Sequence, residues 1–447
     1  MFIPEYVAVV LSKLREAGHS AYLVGGCVRD SLLGKTPDDF DITTSALPDE
    51  MQRVFESFKT VDVGIEHGTL TVISEGHPIE ITTYRLDGEY EDHRHPTGVC
   101  FSSRLEDDLS RRDFTVNAMA AGENGVVDLF GGREDLSAGI IRCVGNAEKR
   151  FDEDALRILR ALRFASKLGF QIEETTERAI FEKYELLRFV SRERIFKELC
   201  GILMGGGVFD VLMKYSDVIC YVVPEMKDAV GCDQMTPYHK YNVYEHTAHA
   251  VAYCEKDIVV RLAAFLHDVA KPRMKTVDEN GRGHFKRHAD VGSDMAEDIL
   301  KGLRCPAKIT SEVGKLIKLH DLRPKAEERE LRRYLVDCAD CDIEKLMALR
   351  RGDMKAKKSN DEGLDYLDAS LDMIRSLIAD KAPRKVSELD IGGGNVAELG
   401  ARGAEIGDVL KYLLHSVADM KVKNEKSELI SLAKLYIRDK FGINAKK

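Results

Sequence analysis

A chain of 447 residues, 44% hydrophobic and 32% charged, has the length for about three domains and ample material for buried cores. No apolar run reaches the ~20 residues of a membrane span, and Met1-Phe2-Ile3-Pro4-Glu5 lacks the basic start and apolar stretch of a signal peptide, so a cytoplasmic protein with no membrane partner is expected. The net charge of −10 argues mildly against a nucleic-acid binder, but the basic residues are clustered, and distribution counts for more than the sum. The ten scattered cysteines are expected to be reduced. The single CxxC, Cys338 to Cys341, has no second pair to complete a four-ligand zinc site and reads as two helix cysteines.

In chain order, Glu5 to Ala17 is an amphipathic helix with Val9, Val10 and Leu14 inward, ended by Gly18. The apolar run Ala21 to Val24 stops at Gly25-Gly26, and a helix-like segment restarts at Val28. Such a strand, turn and helix N-terminus let bare backbone N–H groups approach a phosphate. Asp39 and Asp41 follow at i and i+2. On a strand both carboxylates share one face, and two hard oxygen ligands suit Mg²⁺. His67–Ile73 and His77–Tyr84 alternate as a hairpin, in which Glu80 is either a third metal-facing carboxylate or a solvent-facing strand residue. Gly88 to Pro96 reads as a charged, mobile loop. Arg111 and Arg112 bring bidentate donors suited to a triphosphate. Asp113 and Asn117, four apart, share a helical face suited to a ribose.

Phe151 to Ala165 is expected as one helix, with acidic residues in its first turn and a buried stripe of Ala155, Ile158, Leu159, Leu162 and Ala165. Asp154, Arg157, Arg160 and Arg163 wind along another face. They form either a salt-bridged surface, Asp154 pairing Arg157 at i, i+3, or a base reader. Cytosine and adenine offer an exocyclic amino donor beside a ring-nitrogen acceptor, and uracil and guanine reverse that order. One fixed carboxylate with one guanidinium therefore accepts C and A. Arg160 and Arg163 would continue toward phosphates. Ser191 to Leu199 starts a loosely capped helix. Gly205-Gly206-Gly207 is a flexible break, since no Lys-Ser/Thr follows to make a phosphate loop.

Seven of the 13 histidines lie between His239 and His320. The candidate ligands are His246, His267-Asp268, His284 or His288, and His320-Asp321. His267-Asp268 ends an apolar helix, and burying such a pair is costly unless it is paired or metal-bound. Imidazoles with carboxylates suit Ni, Mn, Fe or Co. Beyond them, Leu364–Leu377 and Gly407–Val417 read as helices, with Ile406, Val409, Leu410, Leu413, Leu414 and Val417 on one face. Residues 386 to 407 are turn-rich. Lys421, Lys423, Lys426, Lys434, Arg438 and Lys440 make a basic end, suited to RNA phosphates or simply solvated.

The string Gly25-Gly26-Cys27-Val28-Arg29-Asp30, followed by Asp39-Phe40-Asp41, resembles the active-site signature of the polymerase-β-like nucleotidyltransferases. It is similar above all to the subgroup of bacterial tRNA CCA-adding enzymes and poly(A) polymerases. Asp108 to Met119 resembles that family's second motif, and Glu153-Asp154 with Arg157 its Glu-Asp-Xaa-Xaa-Arg motif, in which side chains act as the template. Ser191–Leu199 resembles the next motif, and Gly88–Pro96 the loop of members able to add A. His246, His267-Asp268, His288 and His320-Asp321 resemble the ligand pattern of HD-superfamily metal-dependent phosphohydrolases. The tail resembles a tRNA-gripping end, departing from it at Gly394-Asn395, where relatives commonly have a Lys-Asp or similar pair.

The resemblance implies an α+β fold: a polymerase-β-like head with a mixed sheet (1–140), an all-α neck (141–222), an HD-type helical body (223–330) and a helical tail (331–447). It implies template-independent addition of the 3′-terminal CCA to tRNA from CTP and ATP, releasing pyrophosphate by two-metal phosphoryl transfer. Asp39 and Asp41 would hold Mg²⁺ with Glu80 beside them. Gly25, Gly26, Arg29, Arg111, Arg112, Asp113 and Asn117 would bind the nucleotide, and Asp154, Arg157, Arg160 and Arg163 would select it. Within the class the alternatives are an A-adding enzyme and a poly(A) polymerase. The latter subgroup carries a Gly-Arg-Arg-Phe-like strand, which Val61 to Thr69 lacks. From another class, an HD phosphohydrolase with an RNA-binding head is the rival. A purely RNA-binding protein is disfavoured, because binding alone needs no paired carboxylates facing phosphate. The sequence names no protein partner.

Overall fold

The short apolar runs of the head form strands because alternate residues reach a common core. In the computed structural model, described for residues 3–62, 64–87, 99–237, 239–357 and 361–442, the chain divides into two units, Met1–Pro224 and Glu225–Lys447. The architecture is α+β, with the seven-stranded sheet in the first unit. The proposed loop Gly88–Pro96 lies outside the described residues.

Unit 1 opens with α1 (Glu5–Glu16), which buries Val7, Val10, Leu11 and Leu14. Val9, expected inward, is 36% exposed, because Val7, Val10 and Leu14 set the inward stripe at three- and four-residue spacing. A seven-stranded sheet follows, built from β1 (Ala21–Val24), β2 (Asp41–Thr44), β3 (Lys59–Val61), β4 (Thr69–Ser74), β5 (His77–Thr83), β6 (Met119–Gly122) and β7 (Gly125–Asp128). Its order is β3-β4-β5-β2-β1-β6-β7. The sheet is mixed: β2 runs parallel to β5, and the other neighbours are antiparallel. Leu23, Ile42, Leu70, Val72, Ile79 and Ile81 are buried in its core. The expected hairpin is β4–β5.

Helix α2 (Gly26–Leu32) begins at the second glycine, two residues before the expected restart. Helix α3 (Leu105–Ser110) precedes the arginine pair. The helix expected over Phe151–Ala165 is two: α4 (Ala147–Glu153) and α5 (Leu156–Leu168), broken at Asp154 with φ −141° and ψ 103°. Its stripe is nonetheless buried as expected. After α6 (Arg192–Leu203) the glycine triplet is a packing junction more than a loose break. A Cβ at Gly205 would lie 2.0 Å from Ser166 Oγ.

Among the described residues, unit 2 is helical apart from one two-stranded pair. Its body comprises α7 (Val243–Tyr253), α8 (Ile258–Leu266), α9 (His288–Gly302), α10 (Ala307–Leu319) and α11 (Ile343–Lys355). Asp257 caps α8 by accepting from the N–H groups of Val259 and Val260, and Val259 to Leu266 are all buried. Helix α11 packs on both α7 and α8, so the body draws on residues beyond 330. The helix expected at Leu364–Leu377 spans Asp361–Ala379. In the tail, α12 (Ala404–Ala418) buries Val409, Leu413, Leu414 and Val417, with Ile406 and Leu410 packed partly against the same cluster and α13 (Lys426–Phe441) beside it. Cys338 closes the helix Glu328–Asp337 and Cys341 lies in the turn after it; both thiols are free.

Candidate functional site

The end of β1 and the parallel pairing of β2 with β5 position the carboxylates of the head. Asp41 is the first residue of β2, and Asp39 precedes the strand instead of lying within it. The register sets Asp41 opposite Glu80, on the face away from buried Ile42, Ile79 and Ile81. Burial, then the neighbouring Asp39 and Glu80 carboxylates, push the Asp41 carboxyl up to about 6, with Arg112 opposing. Gathered like charge of this kind is relieved by a divalent cation, and an all-oxygen donor set fits Mg²⁺.

Beside them the chain turns at Gly25, whose φ of +79° favours glycine. A Cβ there would lie 3.4 Å from Arg112 Nη1. Arg111 and Arg112 are both held by Asp108, a fully buried residue that sequence reasoning did not single out. Arg111 donates from Nε (3.0 Å) and Nη2 (2.6 Å) to Asp108 Oδ1. Arg112 Nη2 and Thr43 Oγ1 both donate to Oδ2, each at 3.0 Å. Burial works to raise the Asp108 carboxyl, but Arg112 and Arg111 outweigh it and hold it below the usual range. The signal was its spacing, three and four residues before the arginines on one helical turn.

Arg29, Asn117, Asp113 and Arg160 form a single relay. Arg29 is 4% exposed and donates from Nη1 to Asn117 Oδ1 at 2.7 Å. Asn117 Nδ2 donates to Asp113 Oδ1 at 3.2 Å, and Arg160 donates from Nε to Asp113 Oδ2 at 2.8 Å. Asp113 and Asn117 do not share an α-helix as expected. A single 3₁₀ turn, Thr115–Asn117, brings them together.

Near the break between α4 and α5 is a cavity of about 260 Å³ whose walls include Arg112, Asp113, Asp154, Leu156, Arg157 and Arg194. Asp154 caps α5 by accepting from Leu156 N (3.0 Å) and pairs with Arg194 Nη2 (2.9 Å) through its other oxygen. The expected Asp154–Arg157 pair is replaced. Arg157 donates to Glu153 Oε2 (2.7 Å) and to the carbonyls of Arg150 and Arg111. Nor do Arg160 and Arg163 reach outward: the first is held by Asp113 and the second donates to Glu198 at 2.6 Å. Arg112 Nε and Arg194 Nη1 are buried without a hydrogen-bond acceptor among the described residues, and both arginines line the cavity.

In unit 2, His246, His267, Asp268, His288 and His320 converge, and two groups, His246–His267–Asp268 and Asp268–His288–His320, have donor atoms close enough to hold a metal ion. Asp321 does not join: it is exposed and pairs with Arg323 at 3.0 Å, because α10 ends at Leu319 and the turn carries it outward. His284 pairs instead with Asp278 at 2.7 Å. Asp353 on α11, unforeseen, lies 3.0 Å from His246 Nε2. Lys271 Nζ is 2.7 Å from Asp268 Oδ2. Among the described residues His267 Nε2 and both Asp268 oxygens lack a well-aligned hydrogen bond, as unfilled ligand atoms would.

Residues 21–142 match the family described as Poly A polymerase head domain, 169–230 the Probable RNA and SrmB- binding site of polymerase A, and 238–346 the HD domain. The CCA-adding enzyme of Geobacillus kaustophilus is 48% identical over 209 residues, covering 46% of this chain and 51% of that protein. That of Lactobacillus helveticus is 52% identical over 199 residues, 44% and 49% of the two chains. The chain thus spans about half the length of the curated relatives it matches. Over nearly its whole length the structure is similar to that of the Bacillus stearothermophilus CCA-adding enzyme in complex with CTP, with TM-score 0.74, 29% identity and coverage of 98% and 100%. It shares its fold with the Thermotoga maritima CCA-adding enzyme complexed with tRNA (TM-score 0.62, 21% identity, 98% and 96% coverage).

Proposed function

We propose that this chain, which belongs to the nucleotidyltransferase family of the poly A polymerase head domain, adds the 3′-terminal CCA to tRNA in the cytoplasm from CTP and ATP. The observation that carries the reading is the cavity of unit 1. It combines a carboxylate, Asp154, with buried arginine donors lacking acceptors, and Arg112 belongs both to it and to the surroundings of Asp41. Residues 1–140 would carry the chemistry, 141–222 the choice of nucleotide, 223–330 a metal-binding body and 331–447 the grip on tRNA.

In the reaction the tRNA 3′-hydroxyl oxygen bonds to the α-phosphorus, the bond from that phosphorus to the bridging oxygen breaks, and pyrophosphate leaves. Asp39, Asp41 and Glu80 would hold Mg²⁺, which when bound lowers the pKa of the hydroxyl and neutralises the triphosphate. Arg111 and Arg112, aimed by Asp108, donate to the phosphates. Gly25 leaves room for that approach. The relay from Arg29 to Arg160 fixes Asp113 and Asn117 toward the ribose. Asp154 accepts from the exocyclic amino group shared by cytosine and adenine, and Arg157 or Arg194 donates to the adjacent ring nitrogen.

The test is single-nucleotide-resolved extension of tRNAs ending at the discriminator base, after one C and after both Cs, with each nucleotide separately and together. Ordered addition of C, C and A followed by a stop is expected, and Asp39→Ala abolishes it while the protein stays folded. Extension of the CC-ended tRNA alone would make the protein an A-adding enzyme, and a long A tail a poly(A) polymerase. A second reading, phosphohydrolysis in unit 2 with Ni, Mn, Fe or Co, is favoured by the His/Asp cluster. Hydrolysis that survives Asp39→Ala and disappears in His267→Ala would establish it.

A further inference from the structure

Three guanidinium groups of unit 1 converge on one aromatic ring. The Cζ atoms of Arg29, Arg160 and Arg163 lie 5.1, 5.5 and 4.2 Å from the ring centroid of Phe164. Arg160 and Phe164 are four residues apart on α5 and so share a face, whereas Arg29 comes from α2. The ring is 5% exposed. An edge-to-face contact with buried Phe114, centroids 5.8 Å apart, fixes its place.

Like charges this close repel, and each is balanced by a carboxylate of its own. Arg29 Nε pairs with Asp30 at 2.8 Å, Arg160 Nη2 with Asp113 at 2.6 Å and Arg163 Nε with Glu198 at 2.6 Å. Arg163 is further confined by α6, which leaves no room beside its side chain for a Cβ at Gly201. Hydrogen bonds lie in the guanidinium plane and leave its faces free. The negative face of the Phe164 ring is the common neighbour of all three cations, and such contacts are strongest where water is excluded.

Arg29 and Arg160 are also the two ends of the relay through Asn117 and Asp113. A guanidinium only donates and a carboxylate only accepts, so the Asn117 amide has one orientation, Oδ1 toward Arg29 and Nδ2 toward Asp113. Both oxygens of Asp113 are taken, Oδ1 by the Phe114 N–H and by Asn117, Oδ2 by Arg160. Among the described residues the second N–H of Asn117 Nδ2 has no acceptor, and it is the donor the relay keeps for a ligand.

We propose that Phe164 is a positioning residue for nucleotide binding. Its ring holds Arg29 and Arg160 by cation–π contact, and the relay between them aims the remaining Asn117 N–H at a hydroxyl oxygen of the ribose. The proposal rests on the nucleotidyltransferase reading of unit 1 and adds to it the element that sets ribose recognition. Phe164 touches no substrate itself; it acts through the two arginines.

The full chain is prepared with monofluoro-, difluoro- and trifluorophenylalanine at position 164. Fluorine draws charge from the ring face and nearly preserves the ring's shape, so a ring that only fills space is unaffected. Binding of CTP, 2′-deoxy-CTP and 3′-deoxy-CTP is measured by equilibrium dialysis with Mg²⁺. The preference for CTP over one of the deoxy nucleotides is expected to fall in steps, by about tenfold at the trifluoro ring, and at least as far in Phe164→Leu. A loss in Phe164→Leu with no change across the fluorinated proteins would make the ring a space-filler and overturn the proposal. An unchanged preference in all four variants would overturn it too. Wild-type protein that binds CTP no better than either deoxy nucleotide would remove the ribose contact and the proposal with it. Protein that binds no CTP at all would instead sink the nucleotidyltransferase reading beneath both.

Discussion

Asp113 is 8% exposed yet stays ionised, because burial, which works to raise its carboxyl, is outweighed by Arg160 and by the Asn117 hydrogen bond, leaving it at about 2. A carboxyl held below its unfolded value of ~3.9 adds stability that is complete above about pH 4 and is lost as pH falls toward about 2. Asp113→Asn is therefore expected to cost unit 1 about 2 kcal/mol or more at neutral pH, more because Arg160 keeps its charge without a partner. The deficit should shrink at about pH 3, where the carboxyl of the unfolded chain is already largely protonated. Urea unfolding followed by hydrogen exchange in unit 1 peptides checks both pH values. A deficit that does not change with pH would mean that Asp113 acts through shape and not through charge.

At the level of elements, the break between α4 and α5 sets the cavity and was not legible in the sequence. Phe151 to Ala165 contains neither glycine nor proline, and its residues are mostly good helix formers, so local propensity favours one helix. What ends it is Asp154, which caps the second helix and meets Arg194, a residue forty positions on in sequence. Such a partner is a tertiary fact that period and propensity do not carry. The same holds for Asp353, which meets His246 across 107 positions, and for Glu80, whose place beside Asp41 depends on a parallel pairing of non-consecutive strands. Legible instead were features written within a few residues: the Gly25-Gly26 turn, the alternation of β4 and β5, and the apolar faces of α5 and α12. Asp154→Ser separates the two duties of that residue. A serine hydroxyl keeps a helix cap but lacks the carboxylate proposed to accept from the exocyclic amino group. Stability should change little, while the preference for CTP over UTP, read as the ratio of kcat/KM values, falls about tenfold to a hundredfold. An unaltered ratio would assign base selection to other side chains of the cavity.

For the molecule as a whole, a formal net charge of −10 opposes RNA at long range, so the proposed contact with a tRNA has to rest on local cations. Of the basic residues near the C-terminus, Lys421, Lys423, Arg438 and Lys440 are tied to Asp419, Glu425, Asp439 and Asp408. Lys426 and Lys434, both on α13, are exposed and make no ion pair among the described residues. A lysine already paired adds less on meeting a phosphate, because the field of its partner carboxylate remains. Each phosphate neutralised releases counterions, so the logarithm of affinity falls with the logarithm of salt by about 0.9 per contact on duplex and about 0.7 on single strands. If α13 is part of the tRNA surface, Lys426→Glu with Lys434→Glu should weaken tRNA binding at low salt. It should also make the salt dependence shallower by about one to two units, with KM for CTP unchanged at saturating tRNA. Lys421→Ala with Lys423→Ala should do less. Fluorescence titrations of tRNA between about 50 and about 200 mM salt read the slope directly, and a slope the same as wild type's removes α13 from the RNA-binding surface.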